Sequence, residues 1–225
     1  MHPAGGVENR LTKFVILSRC KQMLPTPPPT GQPESADDAR RARILEGAMS
    51  VFLAYGFQRT TMDDIARAAD ISRPALYLQF RNKTDIYRAL AQRFLADIIG
   101  RARLAMAGKA PLAARLADAL HGIHEMTHEI EASQHGAEML DMRNKLAADI
   151  VGTGRAEFRA LLEAAIAAEV RRPHADAGRC GVAPGLLADC LLDAIDGMKL
   201  RGLAADAQRT AIDAYVAIVT RAAAG

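Results

Sequence analysis

From Asp37 onward, apolar residues return every three or four positions and never settle into alternation. Ile44, Leu45, Ala48, Val51, Phe52 and Tyr55 share one face of a helix. Asp37 or Asp38 is placed to cap its start, and Gly56 stands just past its end, where a positive φ is usually wanted. Similar periodicity continues to the C-terminus without β-branched strand runs, so the pattern predicts an all-α chain. Breaks are expected at Gly108–Pro111, Gly152–Gly154, 172–184 and Gly202. Residues 1–36 differ. Pro25, Pro27, Pro28, Pro29 and Pro33 sit among Thr, Gly, Gln and Ser, and the expectation is a disordered tail, with Leu11 to Leu24 able to form a short amphipathic helix.

The stretch 60–80 is the most informative. Thr61 followed by Asp64 reads as an acidic capping box that starts a helix at Met62. Ile65, Ala66 and Ala69 give that helix a narrow apolar side of small residues, which lets another helix approach closely. Asp70 falls where the chain must turn, and aspartate tolerates the left-handed region better than most residues. Ile71 plugs the turn. Ser72 caps the next helix, and Pro74 lies in its first turn, where a missing N–H costs nothing. Leu76 and Phe80 then face inward, leaving Arg73, Pro74, Tyr77 and Gln79 mostly outward. Two short helices joined by a tight turn, the second showing Arg, Tyr and Gln, describe a helix-turn-helix whose second member fits a DNA major groove. Asn82 and Asp85 start a further helix, which puts Lys83 at an N-terminus that favours a phosphate.

Charge supports that reading modestly. The net charge is +3, but residues 37–103 carry 12 basic and 8 acidic groups, and residues 104–225 carry 13 and 16. The basic part is the part with the helix-turn-helix, which suits an anionic partner there. Half of the residues are hydrophobic, enough for a substantial core, so a wholly disordered chain is excluded. Cys20, Cys180 and Cys190 are too few and too scattered for a disulfide framework or a zinc ribbon. No apolar run reaches the roughly 18 residues of a membrane helix, and Phe14 to Leu17 is too short for a signal segment. A cytoplasmic location is expected.

The ordered set Ile44-Leu45-Glu46-Gly47-Ala48, Phe52, Tyr55-Gly56-Phe57, Thr60-Thr61, Ile65-Ala66, Ala69, Ser72, Leu76-Tyr77, Phe80 and Asn82-Lys83 resembles the DNA-binding domain of TetR-type bacterial transcriptional regulators. The resemblance covers about a fifth of the chain. It implies a three-helix DNA-binding domain at 37–84 and a helical effector-binding and dimerisation domain at 85–225. It implies phosphate contacts from Thr61, Tyr77 and Lys83. Base edges would be read by Arg73, Pro74 and Ala75, with Ser72 capping their helix and Gln79 touching phosphate or base. Arg40, Arg41 and Arg43 would add backbone contacts. The implied function is a ligand-responsive regulator, a repressor released from a palindromic operator by a small molecule, with no cofactor.

The remainder offers three further readings. Leu187, Leu191 and Ile195 mark one apolar face, and Ile212, Tyr215 and Val219 another. These faces either meet a two-fold copy in a four-helix seam or close the chain's own core. A dimer would place paired recognition helices about 34–36 Å apart and so imply the palindrome. An effector pocket is sketched by Met126, Met139 and Phe158. Finally, His121, His124, His128 and His135 fall at about 0°, 300°, 340° and 320° if one helix carries them all, a narrow stripe expected to face water. His124-Glu125-Met126-Thr127-His128 fits the bare HExxH letters, so a metal-dependent hydrolase or a metal-sensing regulator using His121, His124 and His128 is the alternative, although a bound metal is not the favoured reading.

Overall fold

The structure, a computed structural model, describes residues 35–171 and 181–224. The expected tail, apart from its last two residues, lies outside the described residues, as do the Leu11–Leu24 segment, Cys20 and Cys180. The described residues form nine helices and no strand: α1 Ala36–Tyr55, α2 Met62–Ala68, α3 Arg73–Gln79, α4 Lys83–Ala107, α5 Leu112–Glu131, α6 Gly136–Leu146, α7 Ala148–Val170, α8 Pro184–Leu200 and α9 Ala205–Ala224. None of them is long and apolar enough to cross a membrane.

Contacts divide the chain into two units. The first runs to Phe94 and takes in Glu129–Ile150; the second holds Leu95–His128 and Val151 onward. The first unit therefore reaches beyond the 37–84 span read from the sequence. The reason is aromatic. Phe52 and Phe57 lie 5.3 Å apart, and Phe57 meets Tyr87 at 5.6 Å, so the start of α4 belongs to the core of α1. Tyr87 donates its hydroxyl to the Met139 carbonyl at 2.5 Å, which ties α6 to the same core. Arg88 adds the Leu146 carbonyl at 2.7 Å and both carboxylate oxygens of Asp149.

Within the second unit, α8 and α9 pack together. Leu187, Leu191, Ile212 and Val219 are all buried, Leu191 and Ile212 almost completely. Arg159 bridges α7 to α8 through Asp189 while pairing with Glu163 on its own helix, and Arg155 bridges them through Asp193 and Asp196. One expected break does not form. The helix α7 passes through Gly152 and Gly154 without interruption. A Cβ on Gly154 would lie 3.0 Å from a Leu95 methyl, so this glycine permits close packing and does not end a helix. The unforeseen break is at 132–135. The Ser133 hydroxyl donates to the Ile130 carbonyl at 2.7 Å, competing with the helical ladder. A Cβ on Gly136 would stand 1.7 Å from the Ile130 oxygen, so only glycine fits there.

Candidate nucleic-acid interface

The helix-turn-helix forms as the sequence dictates. Thr61 and Asp64 close a reciprocal capping box: the Asp64 N–H donates to the Thr61 hydroxyl at 3.2 Å, and the Thr61 N–H and O–H donate to the Asp64 carboxylate at 3.0 and 2.6 Å. These bonds from Thr61 hold the Asp64 carboxyl below its ordinary pKa, with Arg67 adding to the effect. The small side of α2 sits directly on α1; a Cβ on Gly47 would come within 2.8 Å of the Ala69 nitrogen. Asp70 takes φ 53°, the expected left-handed turn residue. Behind it the Ile71 N–H reaches the Ala66 carbonyl at 3.0 Å. Ser72 then caps α3 by accepting from the Ala75 N–H at 3.3 Å.

The helix α3 is anchored by one face and bare on the other. Leu76 is fully buried and Phe80 nearly so. Arg73, Pro74, Tyr77, Leu78 and Arg81 are exposed. Arg73, Pro74, Tyr77 and Leu78 lie one, four and five residues apart on one outward side of α3, and Arg81 follows just past its end. Leu78 is 84% exposed and Tyr77 43%, large apolar area for a seven-residue helix. Sequence reasoning missed Leu78 because leucine is read as core by default; its position one residue after Tyr77 was the available signal.

The polar partners of this outward side are local. Arg73 Nε pairs with Asp63 at 3.1 Å, and its guanidinium lies 5.6 Å from the Tyr77 ring centre. Both partners of that ion pair are more than half exposed, so the pair is worth at most about 1 kcal/mol and is easily exchanged. Gln79 is half-buried and donates to Asp37 at 2.6 Å, which places it on the flank of that side beside α1. Ala75 is half-buried at the edge. Arg41 covers the Phe80 ring at 4.3 Å, and Arg40 faces Asp37 at 3.8 Å, while Arg43 is exposed.

Lys83 departs from expectation. Its ammonium donates to the carbonyls of Phe57, Gln58 and Thr60 at 2.8, 3.0 and 3.1 Å, and it sits 4.7 Å from the Phe57 ring centre. The turn between α1 and α2 ends in inward-pointing carbonyls that need a cation, and Lys83 supplies it. Thr61 is similarly engaged, with its hydroxyl proton on Asp64. Both side chains hold the helices in place and present no free donor for a phosphate.

Of the expected pocket residues, Met139 lines a cavity of the first unit, and Met126 and Phe158 are buried in the second unit. Of the expected dimer faces, Leu187, Leu191, Ile212 and Val219 are buried within the chain, and Ile195 and Tyr215 are half-buried. The apolar residues left outside on α8 and α9 are Leu186, Leu200 and Ile218.

The histidine stripe does not form either. The helix α5 ends at Glu131, and His135 stands at the start of α6 beside Glu138. His124 is buried, where water had been expected, and its ring stacks on His128 with centres 5.9 Å apart. Burial, followed by the like charges of His128, Arg209 and His121, lowers the His124 pKa, against a weaker opposite pull from Glu125. His121 Nε2 is instead 2.7 Å from Asp213, and Glu125 is paired with Arg209. Among the described residues no group of three or more His, Cys, Asp or Glu is disposed to hold a metal ion. Glu125 is thus engaged as an ion-pair partner, and nothing supports the hydrolase reading.

The chain is similar to known proteins in one segment of sequence and in fold. Residues 44–90 match the family described as bacterial regulatory proteins, tetR family. The transcriptional activator FasR of Mycolicibacterium smegmatis is 36% identical over 69 residues, covering 31% of this chain and 32% of FasR. The chain thus spans about a third of the length of that curated relative. Among solved structures, a tetR-family transcriptional regulator from Mesorhizobium loti superposes with a TM-score of 0.63 at 13% identity, over 84% of this chain and 98% of that one. SmeT, the repressor of a Stenotrophomonas maltophilia multidrug efflux pump, gives 0.57 at 19% identity, over 79% and 89%. At such identities the structures establish the fold.

Proposed function

We propose that this chain, whose residues 44–90 match the bacterial regulatory proteins of the tetR family, is a ligand-responsive DNA-binding repressor which leaves a near-palindromic operator when a small molecule binds its helical remainder. The observation that carries this reading is the outward side of α3, Arg73, Pro74, Tyr77 and Leu78, with Arg81 exposed just beyond it, set on a helix whose opposite side is locked by Leu76 and Phe80. A rigid helix with a bare, basic and aromatic face is what a major groove accepts.

Roles follow from what each side chain has free. Arg73 exchanges its weak Asp63 pair for the two acceptors of a guanine edge. Pro74, Ala75 and Leu78 make apolar contacts, with Leu78 suited to a thymine methyl. The Tyr77 hydroxyl and the Arg81 guanidinium meet phosphates, and Gln79 reaches phosphate or base by leaving Asp37. Thr61, Ser72 and Lys83 act by holding the helices. Two copies of the chain supply the two half-sites, joined through the outward sides of α8 and α9, where Leu186, Leu200 and Ile218 are exposed. A complex of SmeT with triclosan is among the structures of the same fold, and a small-molecule effector fits this chain likewise. Its binding would favour a conformer with wrongly spaced recognition helices.

Gel-shift titration over a salt series tests the proposal. Selection from random duplexes should yield an inverted repeat bound with an affinity that falls steeply with salt. Salt-insensitive binding, or no enrichment of any duplex, would overturn it.

A further inference from the structure

The first unit contains a small apolar cavity that is partly open to solvent. Its walls come from α1, α4, the end of α5 and α6: Met49, Leu90, Phe94, Ile130 and Leu140 are all apolar. Arg143 is the one charged side chain in the lining. Its Nε is shut away from water and meets no hydrogen-bond partner, and among the described residues the guanidinium makes no ion pair. A donor in that position is unfavourable unless something accepts from it. Its charge is close enough to oppose the burial that pushes the neighbouring Tyr87 hydroxyl up to about 12.

We propose that this cavity is the effector site and that it takes a small amphiphilic monocarboxylate, its apolar body among Met49, Leu90, Phe94 and Leu140 and its carboxylate on Arg143. An arginine fork accepts a carboxylate through two parallel bonds, which gives orientation as well as attraction. A cation is repelled by Arg143, and a neutral alcohol offers a single uncharged acceptor, a weaker partner for the guanidinium than a carboxylate. A single guanidinium among apolar walls is a poor match for a phosphate dianion, which needs more donors. The site deepens the regulatory reading above and depends on it only for its consequence. That consequence runs through α6. The Glu138 carboxylate accepts from the Gln58 N–H at 3.3 Å, so a helix that lines the cavity also holds the turn leading into α2. A body large enough to part α6 from α4 pulls on that turn.

Calorimetric titration of the purified full chain with sodium octanoate, 1-octanol and octylammonium tests the site without DNA. Octanoate should bind, and the other two should bind at least about tenfold more weakly. Arg143→Gln should weaken octanoate about tenfold or more and leave octanol unchanged, whereas Arg143→Lys, which keeps the charge, should retain most of the octanoate affinity. Ala91→Leu, on the cavity wall, should weaken octanoate and octanol together. Octanol or octylammonium binding as tightly as octanoate, or an Arg143→Gln chain of native helix content with unchanged octanoate affinity, would overturn the proposal. Undiminished binding by Ala91→Leu would overturn it too. If octanoate binds as described while every duplex fails in the gel shift, the regulator reading falls and the carboxylate site stands.

Discussion

Replacing Lys83 by methionine separates two roles that look alike in a binding assay. The ammonium holds three carbonyls at 2.8, 3.0 and 3.1 Å, all from the turn between α1 and α2, beside the Phe57 ring. One hydrogen bond to a charged group contributes about 1.5–3 kcal/mol net. Three bonds from one ammonium are not additive, and two of them are only part-buried. Together with a cation–π contact of about 0.5–1 kcal/mol, the loss should be about 2–3 kcal/mol. For a chain of this size that is a fall of about 4–12 °C in Tm. Thermal and urea unfolding measure it, and gel shifts at several salt concentrations measure the partner effect. The structural role predicts a destabilised chain whose log–log salt slope for DNA is unchanged. A phosphate role predicts unchanged stability and a slope reduced by about 1. The second pattern would refute the clamp.

Other consequences are equally concrete. Arg73→Ala should relax discrimination at one operator position by about 1–3 kcal/mol, read by gel shifts on single-base variants, and equal losses at every position would contradict base reading. Leu76→Ala, at a fully buried site, should destabilise the chain by about 2–5 kcal/mol in urea unfolding. His124 carries a pKa lowered from 6.5, first by burial, so the unfolded chain binds more protons in mild acid. Its contribution to stability is present above pH 6.5 and is lost as pH falls through the lower folded value; His124→Gln should flatten that part of the pH–stability curve, and an unchanged curve would refute the assignment.

Much of the interface was legible from residue spacing. Thr61–Asp64, Asp70, Ser72 and Pro74 act through local hydrogen bonds and backbone preferences, which neighbouring residues decide. The same holds for the break at 108–111. What escaped depends on contacts distant in sequence. Lys83 is drawn to carbonyls 23 to 26 positions earlier, and nothing near it in the chain announces them. The break near Ser133 was hidden because histidine periodicity continued across it, while the close approach of Gly136 to the Ile130 oxygen forbade a helix through it. The faces of α8 and α9 were correctly apolar, yet periodicity cannot say whether an apolar face meets its own chain or a copy.

The account rests on α3 entering the major groove. Methylation interference on the selected duplex reads this at the guanine N7 atoms, which lie in that groove. The account predicts that premethylated guanines in two half-sites, centred one helical turn apart, block binding, and that Arg73→Ala removes the block at one guanine per half-site. Binding indifferent to N7 methylation throughout the duplex would contradict it.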